Sequence, residues 1–116
     1  MEVIDIQQAL SQHPSGSFLK LLDFNENRFG MCDITGTSPV WEMHPDTDEF
    51  FFIVDGRFEI TLLDADDPSL HVAEAGSSFV VPRGIWHLPA APDGCKFIHF
   101  TPGESLHSDA EDPRAA

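Results

Sequence analysis

Basic residues are scarce in this sequence. Six lysines and arginines stand against 20 aspartates and glutamates, a formal charge of −14 over 116 residues. That balance repels phosphate backbones and argues against nucleic acid as a partner. It argues equally against adhesion to an anionic membrane. An acidic surface keeps a small protein dispersed, so the charge bears on solubility rather than chemistry. Cysteine is scarce too: Cys32 and Cys95 lie far apart and form no C-x-x-C pattern. A disulfide framework and a zinc–cysteine site are therefore not expected, and both thiols are expected to be buried and reduced. No apolar run approaches membrane-spanning length. Met1 to Gln12 holds Glu2, Asp5 and several Gln without a continuous apolar stretch, so no signal peptide is expected. A cytoplasmic location follows as the expectation. The chain also lacks G-x-S-x-G and any glycine-rich phosphate loop followed by Lys.

What is present supports a core. The hydrophobic fraction is 41% and includes ten Phe. A chain of this size buries roughly two-thirds of its unfolded surface and needs no covalent staples. One domain over 1–116 is expected, with 1–16 as an N-terminal segment and 103–116 as a flexible tail, polar, acidic and rich in small residues. Asp5 is placed to cap a short helix reaching Gln12, with Ile6, Ala9 and Leu10 as its apolar positions. His13-Pro14-Ser15-Gly16 reads as a turn.

Beyond that point the pattern predicts strands. They are Phe18–Phe24, Phe29–Ile34, Val40–His44, Glu49–Val54, Phe58–Leu63, Leu70–Glu74, Ser78–Val81, Ile85–Pro89 and Lys96–Thr101. Asn25-Glu26-Asn27 separates the first two, and Asp55-Gly56 reads as a hairpin turn. Many short strands with turn signals between them predict an all-β sandwich or barrel, and periodicity does not choose between the two.

Glu42 and His44 are two positions apart and share one face of a strand, while Trp41 and Met43 take the other. Glu49 follows after Pro45-Asp46-Thr47-Asp48, and His87 ends the run that starts at Gly76. Imidazoles and carboxylates gathered from separate strands suit a divalent transition metal. Trp41 and Trp86 have the opposite parity and are expected outside the pocket. His99 is assigned to packing by default, with a pocket role as the alternative. His13, His71 and His107 are expected to be solvated.

Gly36, Glu42, His44, Glu49 and Gly56, followed by Gly76, Pro82, Gly84 and His87, resemble the two motifs of the cupin superfamily. The runs WEMHPDTDE and VPRGIWHLPA are most similar to a group of short bacterial single-domain cupins, some called mannose-6-phosphate isomerase-like. Two positions depart from the motifs: Glu42 stands for the first His, and Ala91 for the final Asn. The resemblance implies a double-stranded β-helix, or jelly roll, with a short N-terminal helix. It implies a metal (iron, manganese, nickel or zinc) on His44, Glu49 and His87. Glu42 is either the fourth ligand or a bystander that pairs with Arg83 or meets solvent. As a ligand, it shifts preference toward iron(II) or manganese(II). Pro82-Arg83-Gly84 would break the strand so that His87 re-enters facing inward.

Two functions are carried forward. One is a metal-dependent enzyme, oxygenase or isomerase in type, acting on a small polar molecule, with Glu49 able to act as a base. The other is a non-catalytic module that binds or senses a metal or small ligand. Strand parity further predicts that Phe51, Phe79, Val81 and Ile85 line the pocket. Phe50, Phe52 and Val54 then point outward, so that Phe52 is covered in a homodimer or by the N-terminal segment.

Overall fold

The computed structural model describes residues 1–16, 18–25 and 27–115. Helix α1 covers Ile6–Ser11, and the Asp5 carboxylate accepts from the Gln8 N–H at 2.9 Å, capping an otherwise unpaired amide. Eight strands follow among the described residues: β1 (Leu19–Phe24), β2 (Asn27–Thr37), β3 (Trp41–Met43), β4 (Glu49–Leu62), β5 (Ser69–Glu74), β6 (Ser78–Val81), β7 (His87–Phe100) and β8 (Leu106–Ser108). The turn at Asn25-Glu26-Asn27 includes Glu26, which lies outside the described residues. Asn25 itself has a φ of 55°, a conformation that Asn tolerates better than most residues.

All strand pairs are antiparallel. One path runs β1-β2-β7-β3-β8, and β4 pairs with β5, β6 and β7. The two long strands, β4 and β7, make the sheet curl. The first part of β4 pairs with β6 and its second part with β5. Along β7, Cys95–His99 lie beside β2, and His87 lies beside β3.

Here the structure departs from the predicted strands. Asp55-Gly56 is a bulge inside β4, with register shifts on either side, rather than a hairpin turn. Inner-face parity switches across it, from Glu49, Phe51 and Ile53 to Phe58 and Ile60, the effect of an inserted residue. Likewise, Ile85–Pro89 and Lys96–Thr101 are not two strands, since β7 runs unbroken from His87 through Gly94 to Phe100. Gly56 and Gly94 have φ of 82° and 92°, which glycine adopts without steric cost. A Cβ on Gly56 would collide with the Gly94 carbonyl oxygen, so the two bends nest against each other. In the tail, β8 pairs with β3, and Arg114 donates to the Ala65 carbonyl at 2.6 Å.

The core is Phe51, Ile53, Phe58, Ile60, Val81, Ala91, Cys95 and Phe97. Phe51 stacks on Phe79 with ring centroids 4.9 Å apart, a favourable offset for aromatic pairs. Ala91, where the resembled motif ends in Asn, is completely buried. On the opposite side of the sheet Phe52 and Val80 remain exposed. Ile4 and Ile6 border a cavity together with Phe29 and Ile98, and Phe52 is left 36% exposed.

Candidate metal centre

Three strand ends converge on one point. Glu42 sits in β3 directly opposite His87, the first residue of β7. His44 follows β3 at once, and Glu49 opens β4 opposite Val81. The Pro82-Arg83-Gly84 segment is tied down beside them: the Gly84 N–H donates to the His44 carbonyl at 2.8 Å. Arg83 pairs with Asp48, not with Glu42 as one expectation had it, because the loop before Glu49 brings Asp48 against its backbone N–H.

Glu42, His44, Glu49 and His87 each offer one donor atom, and these atoms all lie within 4.8 Å of one another. His44 Nε2 is 3.0 Å from Glu49 Oε1 and 3.2 Å from Glu42 Oε1. His87 Nε2 is 3.2 Å and 3.4 Å from the same two oxygens. His44, Glu49 and His87 are buried, whereas the Glu42 side chain is 30% exposed. The outward-facing atoms are also paired. His87 Nδ1 lies 3.1 Å from the Ile85 carbonyl. His44 Nδ1 lies 3.0 Å from Ser105 Oγ and 3.2 Å from the Glu104 carbonyl. A ring that donates from Nδ1 to a carbonyl presents its Nε2 lone pair inward, the orientation a metal-bound imidazole needs. Two imidazoles and two carboxylates so arranged fit a divalent transition metal.

Burial disfavours ionisation of Glu42, but hydrogen bonds from His44 and His87 outweigh it and hold the carboxyl down at about 2. Glu49 is likewise held well below the carboxylate range, by His44, His87 and His99 against its burial. Burial works against the charged imidazoles, yet hydrogen bonds to Glu42 and Glu49 push His44 up to about 10 and His87 up to about 9. A divalent ion would displace those protons on binding.

A pH profile follows for the metal-free protein. The two histidines contribute stability that is complete below their ordinary value of 6.5 and lost as pH rises through about 9 to 10. Glu42 contributes above its ordinary 4.5, and that contribution fades as pH falls toward about 2. Thermal melts in chelator should therefore show a maximum between those ordinary values and a lower melting temperature at alkaline pH. A melting temperature that climbs steadily into the alkaline range would contradict this arrangement of charges.

A cavity of about 420 Å³ opens beside the cluster, bordered by Glu42, Glu49 and His87. Its apolar wall includes Phe18, Ile34, Phe51 and Phe97. Of the four predicted lining residues, only Phe51 is there. Phe79 and Val81 do face inward, but Phe51 stands between Phe79 and the cavity. Ile85 is half-buried and does not line it either. The missing wall comes from β2. Trp41 and Trp86 stay out of the cavity, in line with their parity.

Two further histidines flank the cluster. His99, assigned by default to packing, borders the cavity, with Nδ1 3.3 Å from Glu49 Oε2. Along the unbroken β7 its odd-numbered parity matches that of His87. His107 is exposed, as expected, and places Nε2 2.9 Å from Glu42 Oε2. Cys95 is buried, with its thiol pushed up to about 12 by desolvation and by Asp55 and Asp33. Cys32 lines the cavity, 3.8 Å from His99 Nε2.

Comparison with known proteins places this chain in a family. The cupin domain matches residues 31–101. The crystal structure of a cupin-2 domain-containing protein from Shewanella frigidimarina superposes with a TM-score of 0.77 at 29% identity, over 86% of this chain and 94% of that one. Hydroquinone 1,2-dioxygenase from Sphingomonas sp. TTNP3, solved with 4-hydroxybenzoate bound, superposes with a TM-score of 0.67 over 85% and 78% of the two chains. Its identity is 17%, so that likeness is one of fold. An uncharacterized Bacillus subtilis protein, YdbB, is 36% identical over 47 residues, which are 40% of this chain and 39% of that protein. The curled antiparallel sheet is the cupin fold that this chain shares with these solved structures.

Proposed function

The chain belongs to the cupin domain family, and on that premise we propose that it is a metal-dependent enzyme converting a small molecule held beside Glu42, Glu49 and His87. The observation that carries this is the meeting of four donor atoms at the wall of a cavity of about 420 Å³. A small-ligand site needs an apolar enclosure with a few convergent polar groups, and Phe18, Phe51 and Phe97 supply the enclosure.

Glu42, His44, Glu49 and His87 would hold the ion, and two carboxylates among them favour iron(II) or manganese(II) over softer ions such as copper. Such an ion polarises a bound oxygen and stabilises negative charge developing on it. The chain's own groups orient and exclude. The apolar wall would pack against the apolar part of the ligand. His99 holds Glu49 Oε2 while His44 and His87 engage Oε1, so a base role for Glu49 would require one of these contacts to be released. Oxygenation and isomerisation are the two reaction types this arrangement serves.

The test is elemental analysis of protein purified without an affinity tag, followed by turnover assays on phenols, sugars and small acids. Turnover that needs the retained ion is the expected result. A retained ion that alters partner binding without any turnover would instead make this a sensing module.

We also propose that the face carrying Phe52 and Val80 pairs with a second copy, because contiguous exposed apolar surface marks an interface. With a charge of −14 on each copy, association should tighten as salt screens the repulsion. Light scattering at micromolar concentration is expected to give a dimer, and Phe52→Ser a soluble monomer. A wild-type monomer at high salt would end the idea.

A further inference from the structure

One short segment holds two of the four cluster residues from outside, and it lies beyond the matched cupin region of residues 31–101. Glu104 and Ser105 contact His44 Nδ1, and His107 contacts Glu42 Oε2. We propose that His107 is a positioning residue for Glu42, and that the segment from Glu104 to Ser108 is an integral part of the metal centre. This rests on the metal assignment above.

The backbone makes the contact a designed neighbour pair. Glu42 lies opposite His87 of β7 on one side and opposite His107 of β8 on the other. His87, Glu42 and His107 thus form one row across three strands. Side chains directly opposite in antiparallel strands stand close enough to interact. The Glu42 carboxylate is shared along that row, with Oε1 toward His44 and His87 and Oε2 toward His107. The His107 contact, at 2.9 Å, is shorter than any other between imidazole and carboxylate in the cluster.

Glu42 needs this help more than its partners do. It is the one cluster member left partly exposed, on a strand of three residues. A flexible carboxylate there loses rotamer entropy on being fixed, and an N–H donor on its outer oxygen fixes it before an ion arrives. Metal-binding carboxylates depend on such outer partners. The segment is seated as it enters. Gly103 packs so closely on Thr47 that a Cβ there would lie 2.9 Å from Thr47 Cγ2, and Thr47 Oγ1 is 2.8 Å from Thr101 Oγ1. Thr47 belongs to the loop between His44 and Glu49, so both ends of that loop are braced by the C-terminal segment.

The experiment compares wild type, His107→Ala, His107→Gln, Ser105→Ala and the remote His71→Ala as full chains. Affinity is measured for manganese(II) and zinc(II), with the electron paramagnetic resonance spectrum of the bound manganese. His107→Ala should lose about 10- to 100-fold in affinity, the usual cost of removing an outer partner, and should broaden the spectrum. His107→Gln, which keeps an N–H donor, should recover most of both. Ser105→Ala should give a smaller loss, and His71→Ala none. Wild-type affinity and spectrum in His107→Ala would overturn the proposal and leave the metal assignment standing. Equal loss in the Ala and Gln variants with an unchanged spectrum would also overturn it, since only strand docking would then be involved. A wild type that takes up no iron(II), manganese(II), nickel(II) or zinc(II) would overturn the metal assignment itself, and this proposal with it.

Discussion

His87→Ala should leave the protein unable to retain a metal through purification. The imidazole is 1% exposed and faces both carboxylates of the cluster, so no solvent molecule or neighbouring side chain replaces it without rearrangement. Losing an outer partner costs about 10- to 100-fold in affinity, and losing a direct donor should exceed about 100-fold. Glu49→Ala should behave alike, since Glu49 Oε1 meets both histidines. A second consequence separates the site from a mere surface cluster. In the metal-free protein, His87→Ala strips a partner from buried Glu49. Breaking a buried pair costs about 3–5 kcal/mol, and His44 and His99 remain on Glu49, so the low end applies. Metal per chain by elemental analysis, with urea unfolding in chelator, checks both. Wild-type stoichiometry in His87→Ala would dismiss the site.

The parts of this site legible in sequence are those whose geometry is local. Glu42, His44 and Glu49 fall on the first of the two cupin motifs and His87, framed by Gly76, Pro82 and Gly84, on the second, so the resemblance brings them together. His107 could not be found in that way. Its partner Glu42 is 65 residues back along the chain, and a strand of three residues offers no period to detect. The fold shows the same divide. Asp55-Gly56 satisfies a hairpin and a bulge equally well, because both need a glycine at positive φ. The outcome depends on where the following residues pair. Here Arg57–Leu62 pair with β5 and, in part, with β7 instead of turning back on Glu49–Ile53. Pro89 and Pro92 argue for a break in β7 by ordinary strand rules. Pro92 falls in the register shift between the Ile34–Cys95 and Gly36–Ala91 pairs, where it has no ladder partner in β2.

Glu42 is the position at which the site declares its chemistry. Its Oε1 lies as close to the two histidines as a donor to the same ion must, and its Oε2 is occupied by His107. Glu42→Ala should therefore cut metal affinity by more than about 100-fold, as for any direct donor. It should also leave His44, His87 and His107 each short of an acceptor. Glu42→His should restore binding with a changed order of preference. Imidazole suits zinc and nickel better than a carboxylate does, and the divalent site would carry one more positive charge. In wild type, manganese(II) and iron(II) should gain relative to zinc(II); in Glu42→His, zinc(II) should gain. Competition titrations on the three proteins, with folding followed by circular dichroism, read this directly. The imidazole of Glu42→His would also face His107 across the strand pair, donor against donor. Adding His107→Glu to Glu42→His puts an acceptor there and should tighten the ion further. A Glu42→Ala protein with unchanged stoichiometry and affinity would reduce the site to His44, Glu49 and His87, and would leave Glu42 as the acceptor for His107 alone.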